Sequence, residues 1–180
     1  MSVFQSELDF ASLNFKQSLT HELQTFFTAT QLRCAVAETF TQGALTHSLT
    51  QILGPQHMVG GAICNTPQSF TSLCGTPTIN THAPSIDQAL YYAKHIANNL
   101  SCQIGICILG ILGSPHKDER QQAKVYLGYA YNENDYTKSL ELSGRFEDIV
   151  QQSIQAVLGF LKHLFLKYPL KTKKEAITNG

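Results

Sequence analysis

Residues 32–53 read LRCAVAETFTQGALTHSLTQIL, and the physics of the segment changes twice within it. LRCAVA (32–37) is nearly continuously apolar, which suits a strand covered on both faces, as in an α/β sheet. AETFTQG (37–43) is a short polar loop. A helix is expected from about 42 to 53, stopping at Gly54-Pro55. In open α/β sheets ligands bind at the carboxyl ends of strands, where helix N-termini also point. A loop in that position is therefore a candidate site.

The flanking sequence supports such a sheet. Upstream, Leu19, Leu23, Phe26 and Phe27 fall on one face of a helix over about 13–29, while residues 1–12 show no period and are expected to be a loose extension. Downstream, MVGGAIC (58–64) is a second strand whose glycines permit close backbone approach. PQSFTSLCG (67–75) is a short helix or turn, and GTPTINTHAP (75–84) is loop. Ser85 has the character of an N-cap, and Ile86, Leu90, Ala93 and Ala97 make a helix face reaching Leu100. QIGICILG (103–110) is a third buried strand, followed by a polar loop, GSPHKDERQQ. KVYLGYAY and YTKSLEL flank NEND as a hairpin. A last helix begins near Arg145, carries Phe146, Ile149, Val150, Ser153, Val157, Leu161 and Leu164 at helical spacing, and ends before Pro169.

Helices between apolar strands require crossovers, so the first three strands are expected to be parallel, with the hairpin adding antiparallel pairing. The fold class is α/β: a three-layer α/β/α sandwich with a mixed, mostly parallel sheet. One domain over 13–168 is expected, followed by a flexible basic tail over 169–180 that contains KTKKEA.

Composition narrows the function. Lys+Arg and Asp+Glu are both 13, so the formal net charge is zero. Nothing favours a phosphate backbone or an acidic membrane, and neither nucleic acid nor membrane is expected as a partner. The most apolar stretch, IQAVLGFLKHLFL, is interrupted by Gln155, Lys162 and His163 and is shorter than the about 20 residues a spanning helix needs. The five cysteines form no CxxC pair, and Cys34, Cys64 and Cys107 lie in apolar runs. With no signal-peptide pattern, a cytoplasmic location is expected. No metal-ligand spacing, P-loop or dinucleotide fingerprint occurs, so no metal or cofactor is expected.

The loop carries a carboxylate, Glu38, two hydroxyls, Thr39 and Thr41, and a flexible Gly43. Thr41 reads first as an N-cap for the following helix. A nucleophilic Thr needs a base beside it.

Several spaced residues resemble the CinA C-terminal domain family, the nicotinamide-nucleotide amidases. AETFTQG is similar to that family's A-E-S-C-T-G-G loop through Ala37, Glu38, Thr41 and Gly43. Gly60-Gly61, His82-Ala83-Pro84-Ser85, Gly110-Ile111, Gly113, Val125-Tyr126 and Ser143-Gly144 follow other family motifs in order, so the likeness spans about 32–165. It implies a homodimer that takes a nicotinamide mononucleotide-like small molecule. It places Thr39 at the nucleophile position and Glu38, Thr41, Gly43, Asn65, Gly110 and Gly113 around the ligand.

The departures bear on chemistry. The family's Ser becomes Thr39 and its Y-S-N-E-A-K motif becomes Asn65-Thr66-Pro67-Gln68-Ser69-Phe70, so its Tyr is Asn65 and its Lys is Phe70. The hydroxyl opening T-G-I-A-G-P becomes Leu109, the first Gly of T-G-G becomes Gln42, and S-G-D-R carries Arg145-Phe146 in place of its charged pair. General-base help is worth ~10²–10⁴ in rate, and Phe70 takes no proton. The leading expectation is a degenerate amidase with activity lost or greatly reduced. One alternative is an active amidohydrolase using Thr39 with a base from outside the family pattern, for which His47, His57 and the His116-Lys117 pair are the candidates. The other is a non-catalytic interaction module whose pocket has collapsed, with Phe70 and Leu109 filling the space beside Thr39.

Overall fold

The computed structural model describes residues 18–65, 69–70, 72, 83–131 and 134–167. The expected extension over 1–12 and tail over 169–180 lie outside the described residues. The elements are α1 (18–30), β1 (Cys34–Glu38), α2 (Ala44–Leu53), β2 (Met58–Ile63), α3 (Ile86–Asn99), β3 (Ile104–Leu112), β4 (Gln121–Tyr131), β5 (Asn134–Gly144) and α4 (Phe146–Lys167). Of the expected helix at 67–75, residues 69, 70 and 72 are described, and they are helical.

The sheet order is β2-β1-β3-β4-β5. β1 pairs in parallel with both β2 and β3, and the β3–β4 and β4–β5 pairs are antiparallel. The anticipated three-layer sandwich and mixed sheet are thus present. Strand parity divides the core. Cys34 and Val36 of β1 and Ile104, Ile106 and Ile108 of β3 face α1, α2 and α4. Ala35, Ala37, Cys107 and Leu109 face α3. The second layer is thin because its residues are small. A Cβ at Gly105 would overlap the Ala93 carbonyl and one at Gly128 the Ala89 backbone, so these glycines let α3 lie directly on the sheet.

Capping fixes the helix starts. Ser85 caps α3 as expected, accepting the Gln88 N–H at 3.2 Å. Asp148 reaches back to accept the Arg145 N–H at 3.2 Å, the reciprocal half of a capping box at α4.

The structure corrects several boundaries. β1 extends through Glu38, so the loop proper begins at Thr39. The hairpin arms reach into both flanking polar stretches, because Gln121 and Ala123 point into the core. Asn134 and Asp135, expected in the turn, pair with Tyr131 and Ala130.

Candidate functional site

The loop after β1 is built from strand ends. The Thr39 N–H donates to the Ile108 carbonyl at 3.2 Å, and the Glu38 carbonyl accepts the Cys64 N–H at 3.0 Å. The chain therefore leaves the sheet held by both neighbouring strands. Gln42 has φ 52 and Gly43 φ 93, a left-handed pair that turns the backbone into α2.

Glu38 organises the start of α2. Its side chain is fully buried. It accepts the Thr41 hydroxyl at 2.6 Å, the Leu45 N–H at 3.2 Å, the Thr46 N–H at 3.0 Å and the Thr46 hydroxyl. Thr41 is therefore not the N-cap of α2. That position belongs to Gly43, which offers no side-chain bond, and the capping oxygens come from Glu38. The Ala44 N–H is satisfied by the Thr41 carbonyl at 2.9 Å. A helix N-terminus attracts anions, and here the anion already in place is the chain's own carboxylate.

Thr39 is closed in. It is 3% exposed, and its Oγ1 accepts the Gly110 N–H at 3.3 Å. The Phe40 ring covers Gly110, where a Cβ would overlap it. Leu109, one residue before Gly110, is fully buried in the cluster beneath α3. Phe70 shares that cluster without exposure and stacks on Tyr92, centroids 5.1 Å apart at 29°.

The base candidates stand elsewhere. His57 is buried at the opposite end of the sheet: its carbonyl receives the Cys34 N–H where β1 begins. Its Nδ1 donates to the Leu32 carbonyl at 2.8 Å, which requires the proton on that nitrogen. His116 and Lys117 are exposed in the loop before β4. His47 is exposed on α2. Among the described residues none of them hydrogen-bonds the Thr39 hydroxyl, and no group of three or more His, Cys, Asp or Glu is placed to hold a metal ion.

The remaining site residues separate. Thr41 and Gly43 line an open groove of about 480 Å³ between α2 and α4, walled by His47, Phe146, Glu147 and Gln151. Gly113 lines a different cavity of about 460 Å³ on the β4–β5 arm, beside Gln122, Lys124, Glu141 and Ser143. Asn65 is exposed just beyond β2. α4 supplies one wall of the groove, a contribution that the sequence signals only through Ser143-Gly144 before the last helix, at the sheet end that holds the loop.

No helix among the described residues is long and apolar enough to cross a membrane. The sequence model described as CinA C-terminal domain matches residues 16–165. Putative competence-damage inducible proteins of Thermoanaerobacter sp. (strain X514) and Thermoanaerobacter pseudethanolicus are each 26% identical over 141 residues, covering 76% of this chain and 34% of theirs. The chain thus spans about a third of the length of these relatives. Among solved structures, a CinA superfamily protein from Escherichia coli superposes with TM-score 0.70 at 22% identity, covering 81% of this chain and 88% of that one. ComA from Klebsiella pneumoniae gives TM-score 0.72 at 18% identity, covering 84% and 97%. CihA from Agrobacterium tumefaciens gives 0.68 at 23%, covering 82% and 93%. At these identities the structures speak for the fold.

Proposed function

The chain belongs to the CinA C-terminal domain family, and on that premise we propose that it is a degenerate member whose nicotinamide-nucleotide amidase chemistry has been lost. One observation carries the reading: the oxygen at the nucleophile position, Thr39 Oγ1, is almost without exposure and faces the Gly110 N–H rather than a base. A hydroxyl attacks an amide poorly until a neighbour removes its proton. The position where the family carries Lys holds Phe70, sealed in an apolar stack. The β-branched carbon of Thr39 further restricts rotation of the hydroxyl toward a substrate. The reading places the protein in the cytoplasm, in keeping with the free thiols Cys34, Cys64, Cys102 and Cys107.

The test is nicotinamide mononucleotide hydrolysis by the purified protein, followed as ammonia release, with Thr39→Ala alongside. Equal background release from both proteins is the expected result. Turnover that disappears in Thr39→Ala would sink the reading and make Thr39 a working nucleophile.

A further inference from the structure

The groove between α2 and α4 is walled in part by Thr41, Gln42 and Gly43 of the loop but not by Thr39, and its electrostatics point to a ligand class. We propose that it binds a small organic cation, in preference to a ligand bearing phosphate. Its volume, about 480 Å³, falls in the range of small-molecule sites. Phe146 and Val150 supply an apolar and aromatic surface, and Gln42, His47 and Gln151 supply hydrogen-bonding groups. Among the described lining residues Glu147 alone carries a fixed charge, and it is negative. Arg145, the nearest basic residue in sequence, is not among them.

Three of the donors that would favour an anion are already committed. At the α2 end, the Leu45 and Thr46 N–H groups are bound to the Glu38 carboxylate and the Ala44 N–H to the Thr41 carbonyl. A phosphate would find no free donor on those residues, and a buried carboxylate behind them. At the α4 end, Glu147 and Asp148 stand in the first turn, where acidic side chains offset the positive end of the helix dipole. A carboxylate beside an aromatic face is the pairing that recognises organic cations.

The experiment holds one ring constant and varies its charge. The full chain, labelled with ¹⁵N, is titrated with 1-methylnicotinamide (a cation), nicotinamide (neutral) and nicotinamide mononucleotide (the cationic ring with phosphate). The expected result is that 1-methylnicotinamide binds most tightly and shifts the amides of Gly43, His47, Glu147 and Gln151. Glu147→Gln should weaken it roughly two- to fivefold, the scale of an exposed ion pair, and Glu147→Lys should remove the preference. Because Glu147 is exposed, both variants should keep the wild-type amide spectrum elsewhere. Tighter binding of the mononucleotide, shifts located away from the groove, or no shifts at millimolar probe would each overturn the proposal. Ammonia release in the mononucleotide sample would count against the loss of amidase chemistry and leave the groove's charge preference standing.

Discussion

Glu38 accepts both the backbone N–H of Thr46, at 3.0 Å, and its hydroxyl, so the last residue of β1 caps the next helix in the chain. An amide in place of the carboxylate turns one acceptor oxygen into a donor facing N–H groups. Hydrogen bonds to charged groups contribute about 1.5–3 kcal/mol, and a stranded buried donor costs about 1–3 kcal/mol. Glu38→Gln should therefore lower stability by about 1–3 kcal/mol, read as a drop in the urea midpoint with an unchanged slope.

Gln42 sits at φ 52, a left-handed conformation that costs an L-residue about 1–2 kcal/mol and glycine almost nothing. Glycine also gives the unfolded chain more freedom, which offsets part of the gain. Gln42→Gly should raise stability by up to about 1 kcal/mol. A lower thermal midpoint than wild type would show that the Gln42 side chain holds the loop through contacts worth more than the strain.

Phe70 is fully buried against Tyr92 amid alanines. Small neighbours on a packed sheet have little means of collapsing into a gap. Phe70→Ala should cost about 3–5 kcal/mol. Phe70→Lys, which restores the family's residue, should cost at least as much, because an unpaired charge would enter an apolar cluster. The Thr39→Ser, Phe70→Lys double variant should therefore lose its cooperative unfolding transition before it gains ammonia release.

Burial pushes the Cys34 thiol far above its ordinary range, and the thiolate is the form that reacts. Cys102 is only partly buried, with Arg33 nearby acting against the rise caused by burial. In the native protein iodoacetamide should label Cys102 before Cys34, with Cys34 modified only on unfolding. Mass spectrometry of timed digests reads the order, and early labelling of Cys34 would mean that the end of the sheet where β1 starts opens readily.

Much of this architecture was legible in the sequence, because its signals are local and periodic. LRCAVA, MVGGAIC and QIGICILG are apolar on both faces, and Ser85 announces α3, so the sheet and its crossovers are expected from them. The hairpin's length was less visible, since Gln121 looks polar in sequence but turns inward by strand parity. The place of the loop at the carboxyl end of β1 was legible, and its hydrogen-bond wiring was not. Nothing local distinguishes Thr41 as an N-cap from Thr41 as a donor to Glu38. The bond that holds Thr39 Oγ1 to the Gly110 N–H forms only when β1 and β3 pair. The groove needs α4, more than a hundred residues away, to supply Phe146 and Glu147.

β1 lies between two parallel partners that come later in the chain, and this has a kinetic consequence. Cys34 pairs with Met58 on one side and Ile104 on the other, and the Thr39–Gly110 bond spans 71 residues. Parallel pairing across such loops is slow, because closure entropy is spent before the contacts form. During synthesis the Cys34–Glu38 segment must remain without its second neighbour until residues 104–112 have left the ribosome. The enclosure of Thr39 is therefore a late event in folding, and a nascent chain paused near residue 100 should be at its most chaperone-dependent.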